Sequence, residues 1–492
     1  MQRILIFCAF CLLTLAIQAQ PAKKTTPATH TASGYEIPAR IAPFKKCWIY
    51  MGCYYGKFKN LVDSAWADDN GNAVFKGKEK LPGGIYFMVS PARTILFEFL
   101  MDASQHFSVK ADTTQPGNVT ITGSAENDLF QKYTAFLNKR IPHMNELQGR
   151  MKTARNAADS AQVRSELVKA NKELNDYRDA VVQQHPNSML AAFFRSVKRP
   201  DAPPMPVLPN GKKDSLYPAR YVKEHYWDGM DFTDDRLLRT PFFDQKLEEY
   251  FRYYVVPDPD TLIQEVNYML LSAREGKDLY RYLLGRFTDK YINPEIMGQD
   301  KVFLFLFNQY YSKGDTAWLN AKQKEYIFNR AYSLMANQIG EQAPPLNLVD
   351  TTGKLQPVYQ VKAPFTFVVF WDPNCSHCKV QVPQVDSIYE AKWKAMGVKV
   401  YAVNVDESAM DAWKKFIHEH KLNGWVHVYE TKEQREAGNK AGRANFRQLY
   451  DVFQTPTMYL LDAEKHIIAK KLSVQQFDEV MQAKQKKKPA GG

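Results

Sequence analysis

Cysteine is scarce in this 492-residue chain: six in all, two of which, Cys8 and Cys11, sit in an apolar N-terminal run. So few thiols in so long a chain exclude a disulfide-scaffolded module, which concentrates cysteine in a short sequence. Past that run there is a single C-x-x-C, Cys375–Cys378, so the chain beyond it cannot build a zinc site from two such pairs. Past the N-terminus no apolar run reaches the roughly 20 residues of a membrane-spanning helix. Acidic residues are the minority charge, 53 against 65 Lys and Arg, for a net charge of +12. No nucleic-acid-binding motif accompanies that basic balance, so nucleic acid is not expected as a partner. The tail "AKQKKKPAGG", residues 483–492, reads as a solvated basic end suited to peripheral contact with anionic envelope surfaces.

What is present is the composition of folded protein on a chain too long for one core. Hydrophobic residues make up 45% and charged residues 24%, close to globular averages, and the length implies roughly two to four domains. Arg3, the apolar stretch Ile4–Ile17 and small Ala19 read as an export signal over residues 1–19, with cleavage after Ala19. This places the chain in the periplasm or cell envelope. Residues 20–35, rich in Pro, Thr, Ala and Lys, read as a flexible linker.

Three patterns follow. Over residues 36–123, short β-branched and aromatic runs such as "CWIYMGCYYG", "IYFMVS" and "NVTITG" alternate with turn signals, which predicts an antiparallel β-sandwich-like domain. Over residues 124–337 the period becomes helical, as in "AENDLFQKYTAFLNKRI" and "TLIQEVNYMLLSARE", which predicts an all-α domain. The cluster Tyr250, Phe251, Tyr253 and Tyr254 fits either helix core or a groove. Over residues 338–482 strands and helices alternate, which predicts an α/β domain with right-handed βαβ crossovers. Cys47 and Cys53, on one strand, would lie about 20 Å apart at roughly 3.3 Å per residue. A disulfide wants Cα atoms about 5.5 Å apart, so both are expected as unpaired thiols.

The chemistry concentrates in "FTFVVFWDPNCSHCKVQVP", residues 365–383, where a strand-like run meets C-x-x-C at the start of a helix. Asn374 is a good N-cap, which would put Cys375 in the first helical turn. Free backbone N–H groups and the positive end of the helix dipole favour a thiolate there. Cys375 is then the nucleophile, and Cys378, nearly one turn on, the resolving thiol. His377, as a cation, would add to thiolate stabilisation. A metal-transfer role using His377 as a third ligand is an alternative, but no metal is expected. The Cys375–Cys378 disulfide itself stands in for a cofactor.

These residues resemble the active-site segment of thioredoxin-like proteins, specifically the TlpA- and ResA-like envelope thiol-disulfide oxidoreductases. Pro383, eight residues after Cys375, matches the proline inside the thioredoxin active-site helix. "FQTPTMYLLD" resembles the loop whose cis-proline faces the dithiol, with Pro456 in that place and Thr455 before it. The resemblance implies that Trp371, Thr455 and Pro456 meet the substrate. "VNVDESAMDAWKKFIHEHKL" resembles the helical insertion of the TlpA-like branch. Upstream, "DFTDDRLLRTPFFDQKLEEYF" and the β-region resemble domains of unassigned chemistry in Bacteroidetes envelope proteins.

Two departures stand out. Where thioredoxins carry a buried Asp, six residues before the first cysteine, this chain has Val369; where ResA-like proteins carry a Glu, six after it, it has Gln381. The function expected is an exported thiol-disulfide oxidoreductase acting on protein or peptide thiols and recharged by a membrane redox partner. The alternative is an envelope binding or scaffold protein whose upstream domains hold a ligand, with the dithiol regulatory or metal-binding.

Overall fold

A computed structural model describes residues 34–115 and 117–486. The expected signal segment, most of the expected linker and most of the basic tail lie outside these residues. Among the described residues, no helix is long and apolar enough to cross a membrane.

Eight strands open the described chain: β1 (Tyr35–Ala42), β2 (Cys47–Tyr55), β3 (Phe58–Ala67), β4 (Asn72–Gly77), β5 (Gly84–Val89), β6 (Ile95–Met101), β7 (Ser108–Asp112) and β8 (Val119–Thr122). They form two four-stranded sheets, ordered β4-β1-β7-β8 and β3-β2-β5-β6. Ile37, Phe75 and Ile121 of the first sheet share a core with Ile49, Met51 and Phe99 of the second. Cys47 and Cys53, both on β2, are free thiols. The expectation of purely antiparallel pairing needs correction, because β1 and β7 run parallel. Between them the chain crosses to the other sheet and returns twice, first as β4 antiparallel to β1 and then as β7 parallel to it, and a parallel pair requires such a crossover.

Strand β5 is buried along its whole length. Tyr86 and Met88 face the core between the sheets, whereas Ile85, Phe87 and Val89 face a second core shared with the helices that follow. A strand covered on both faces has no polar alternation, which is why "GIYFMV" is apolar throughout.

The helices are α1 (Ala125–Thr153), α2 (Ala157–Gln184), α3 (Met189–Val197), α4 (Tyr217–Glu224), α5 (Phe243–Tyr253), α6 (Pro259–Ser272), α7 (Asp278–Tyr291), α8 (Asp300–Gln309) and α9 (Ala321–Met335). Local chemistry marks several starts. Ser124 caps α1, Asp258 caps α6 with proline at its first position, and Asn320 with Gln323 forms a capping box on α9. Tyr250 and Phe251 are core residues while Tyr253 is exposed, so the tyrosine-rich cluster divides between core and surface.

The remaining strands are β9 (Asn347–Asp350), β10 (Leu355–Pro357), β11 (Thr366–Trp371), β12 (Lys399–Asn404), β13 (Val426–Tyr429), β14 (Thr457–Leu461) and β15 (Ile467–Lys470). They form one sheet in the order β10-β9-β13-β12-β11-β14-β15. The centre β13-β12-β11 is parallel, and β14 joins β11 antiparallel. Helices α10 (Ser376–Ile388), α11 (Met410–Glu419), α12 (Lys432–Lys440), α13 (Phe446–Leu449) and α14 (Val474–Lys486) complete the domain. α10 ends in a wider π turn at Tyr389–Trp393. α12 buries no side chain and starts at a capping box of Thr431 and Gln434, so it shows no apolar period in the sequence. Two of the expected edges shift. β1 begins at Tyr35, inside the expected linker, and α14 runs to Lys486, into the expected tail.

The helical region meets this domain through buried charge. Lys470 on β15 and Asp300 on α8 are both about 5% exposed, with Nζ 2.6 Å from Oδ2. The other two ammonium protons go to the Asn337 carbonyl at 2.8 Å and its Oδ1 at 2.9 Å, which satisfies all three donors of a lysine. Removing one member of such a pair leaves the other charge buried without its counterion. Lys470→Met is therefore expected to destabilise the C-terminal domain by about 3–5 kcal/mol, read as a lowered denaturation midpoint; an unchanged midpoint would contradict this account.

Candidate active site

All six residues of β11 are buried, and the strand ends at Trp371. A tight turn follows. The Asp372 carboxylate accepts the Asn374 N–H at 2.7 Å, and the Asp372 carbonyl accepts the Cys375 N–H at 3.2 Å. This delivers Cys375 to the N-cap of α10, with φ −70° and ψ 127°, and its carbonyl takes the Lys379 N–H at 3.1 Å. The cap is thus Cys375 itself rather than Asn374: the Asp372 turn uses the Asn374 N–H and starts the helix one residue later. Pro383 lies within α10, as expected from its spacing.

The second wall comes from sheet register. β14 pairs with β11 so that Phe370 lies opposite Thr457. The residues just before β14 therefore sit beside those just after β11. Thr455–Pro456 is a cis peptide, both residues are half-buried, and the Cys375 thiol donates to the Thr455 carbonyl at 3.3 Å.

The two sulfurs differ sharply. Cys375 is partly exposed, Cys378 fully buried against the core that includes Val382 and Trp371. Partial desolvation pushes the Cys375 thiol up. The Thr455 side chain, the Cys378 N–H and thiol, and the His377 N–H more than offset this, and its pKa is lowered. Burial dominates at Cys378 and pushes it up to about 12. His377 is exposed and assists Cys375 through its backbone N–H.

Trp371 requires correction. Expected at the substrate face, it is fully buried and packs on Phe416, with ring centroids 5.1 Å apart. In a strand covered on both faces the last apolar residue is as enclosed as the first. Val369 is buried in the same core, and Gln381 is half-buried. The Asp372 carboxylate is engaged by the Asn374 N–H, and what Asp372 offers Cys378 is its backbone N–H.

Asp451, which anchors the loop leading to Thr455–Pro456, carries no signal in the sequence. It is 2% exposed at φ 51° and takes ion pairs from Arg330 of α9 and from Lys471. Arg330 and Asp451 are 121 positions apart, and no local pattern links them.

Among known families, the AhpC/TSA family matches residues 339–470, and the Domain of unknown function (DUF5106) matches residues 158–336. The thiol-disulfide oxidoreductase ResA of Bacillus subtilis is 31% identical over 129 residues, which cover 26% of this chain and 64% of ResA. The chain therefore spans just under two thirds of that relative's length. Similar solved structures include a thioredoxin-like protein from Bacteroides caccae, at 20% identity over 56% of this chain and 97% of that one, TM-score 0.43. A thiol:disulfide interchange protein from Bacteroides sp. is 25% identical over 32% of this chain and 96% of that one, TM-score 0.27.

The lowered Cys375 and raised Cys378 have a direct consequence in the reduced protein. Iodoacetamide labelling of Cys375 is expected to reach half its plateau rate below pH 9.0, the ordinary thiol value, and to fall only as the pH drops through that lowered pKa. In Cys375→Ser, Cys378 should stay unlabelled at neutral pH until the chain is unfolded, as followed by mass spectrometry. Equal labelling of both cysteines at neutral pH would contradict the assignment. On the sheet order, the dithiol at the start of α10 and the cis-proline loop beside it, residues 339–470 form a thioredoxin-like domain that matches the AhpC/TSA family and is similar to ResA.

Proposed function

We propose that the chain is an exported thiol-disulfide oxidoreductase that exchanges disulfides with protein or peptide cysteines through Cys375-Ser376-His377-Cys378. The observation that carries this reading is the unlike pair of sulfurs: one partly exposed and 3.3 Å from the Thr455 carbonyl, the other buried one turn behind it.

In the reducing direction, the Cys375 thiolate attacks one sulfur of a substrate disulfide. A Cys375–substrate bond forms, the substrate S–S bond breaks, and the second substrate sulfur leaves as a thiolate that takes up a proton. Cys378 then loses its proton and attacks the Cys375 sulfur, which releases the first substrate thiol and closes Cys375–Cys378. Two electrons pass from the dithiol to the substrate. The oxidising direction is the same sequence reversed, and no cofactor is needed beyond the dithiol. The Thr455–Pro456 loop offers backbone polar groups to an extended visitor, and a membrane redox partner restores the starting state. In this reading the eight N-terminal strands are a β-sandwich, the central helices an all-α unit, and the basic C-terminal end a peripheral envelope contact.

With Cys378 pushed up by burial and both family acids replaced, by Val369 and Gln381, release of the mixed disulfide is the demanding step. Cys378→Ser should therefore accumulate mixed disulfides with envelope proteins, visible as thiol-sensitive high-mass bands, and Cys375→Ser should abolish them. Absence of Cys375-dependent adducts in the envelope would sink this function.

A further inference from the structure

Phe453 lies two residues before Thr455 and is 73% exposed. Single exposed apolar side chains are ordinary; the setting of this one is not. The loop that carries it is fixed from beneath by Asp451, which is clamped by Arg330 and Lys471, and by buried Val452. The ring stands outward across a groove of about 540 Å³ whose other wall is α9 of the helical region, with Lys322, Glu325, Tyr326 and Asn329. The Arg330 guanidinium sits 5.5 Å from the Phe453 ring centroid. Tyr326 is itself half exposed, and its hydroxyl accepts the Asn293 side-chain amide at 3.0 Å, which holds the ring in place. The result is two preset aromatic walls from two regions of the chain with open space between them.

Distance ties this groove to the dithiol. Two residues of chain span at most about 7 Å, so Phe453 lies within that reach of Thr455, whose carbonyl contacts Cys375. An extended segment lying along the Thr455 loop advances about 3.3 Å per residue. If its cysteine meets Cys375, its residue two or three positions away comes level with Phe453, which lines the groove. We infer that the Phe453–Tyr326 groove binds a large apolar side chain of the substrate, two or three residues from the reacting cysteine. The helical region thus takes part in choosing the substrate. This rests on the exchange function above and adds to it a substrate class: extended polypeptide with an aromatic or large aliphatic residue near the cysteine.

The test uses the full chain and two disulfide-linked peptides that differ only in Phe or Ser two residues from the cysteine. Wild type should prefer the Phe peptide by about tenfold in kcat/KM, the lower end of what one apolar pocket provides. In Phe453→Ala and in Tyr326→Ala that ratio should fall toward one. Both side chains are exposed enough for the variants to fold, and circular dichroism checks it. A ratio near one in wild type, or one unchanged in both variants, overturns the groove assignment; if Cys375-dependent reduction of glutathione disulfide persists in wild type, the exchange function stands without it. The same peptides with Ser in place of Cys, titrated calorimetrically into Cys375→Ser protein, separate the two ideas. A Phe preference in binding that vanishes in the additional Phe453→Ala background supports the groove even where no exchange is found, in which case the exchange function alone falls.

Discussion

The antiparallel ladder between β11 and β14, with Phe370 opposite Thr457, is what the rest of the site depends on. β11 ends by turning into α10, and β14 begins just after a cis peptide. Pairing them side by side brings the start of a helix and an extended loop to one edge of the sheet. The Cys375–Thr455 contact at 3.3 Å follows from that register rather than from any affinity of one residue for the other. Because side chains alternate along a strand, a slip of one residue would reverse the faces of the β14 side chains. The two cores on either side of the sheet, one holding Phe367, Val369 and Trp371 and the other Val368 and Phe370, resist such a slip.

Within that frame, burial separates two chemically identical groups. Cys375 lies at the helix cap, where backbone N–H groups point outward and an anion is welcome. Cys378, one turn inward, gains little from those N–H groups and loses water. The same three-residue spacing therefore yields one sulfur with a lowered pKa and one whose pKa is raised by burial. The direction of the helix relative to the core is enough to produce this difference.

The seam to the helical region is built differently from the cores. Lys470 with Asp300, and Arg330 with Asp451, are buried charge pairs that cross from one region to the other. Such pairs add little net stability compared with apolar packing, but they tolerate few alternative arrangements, since any shift leaves a charge without its partner. Asp451 lies four residues before Thr455. The position of α9 and the position of the Thr455–Pro456 loop are thereby linked, and Phe453 is held where α9 can form the opposite wall.

Much of this was legible in the chain itself. The β11 run, the C-x-x-C at a helix start, Pro383, and Thr455–Pro456 before another strand are local signals, and periodicity and capping depend on neighbours within a few residues. The α/β alternation of the C-terminal domain was readable for the same reason, while α12, which buries nothing, left no apolar period to read. Other features were decided only by distant atoms. Five consecutive apolar residues in β11 cannot say which end is covered, so Trp371 reads as a surface residue until Phe416 is seen packed on it. The direction of β7 relative to β1 depends on a crossover through the other sheet, and the raised pKa of Cys378 on the core around it. Spacing along the chain determined that two thiols would share one face of a helix; the tertiary structure decided which meets solvent and what stands opposite, because exposure and electrostatics depend on contacts in space rather than on order in sequence.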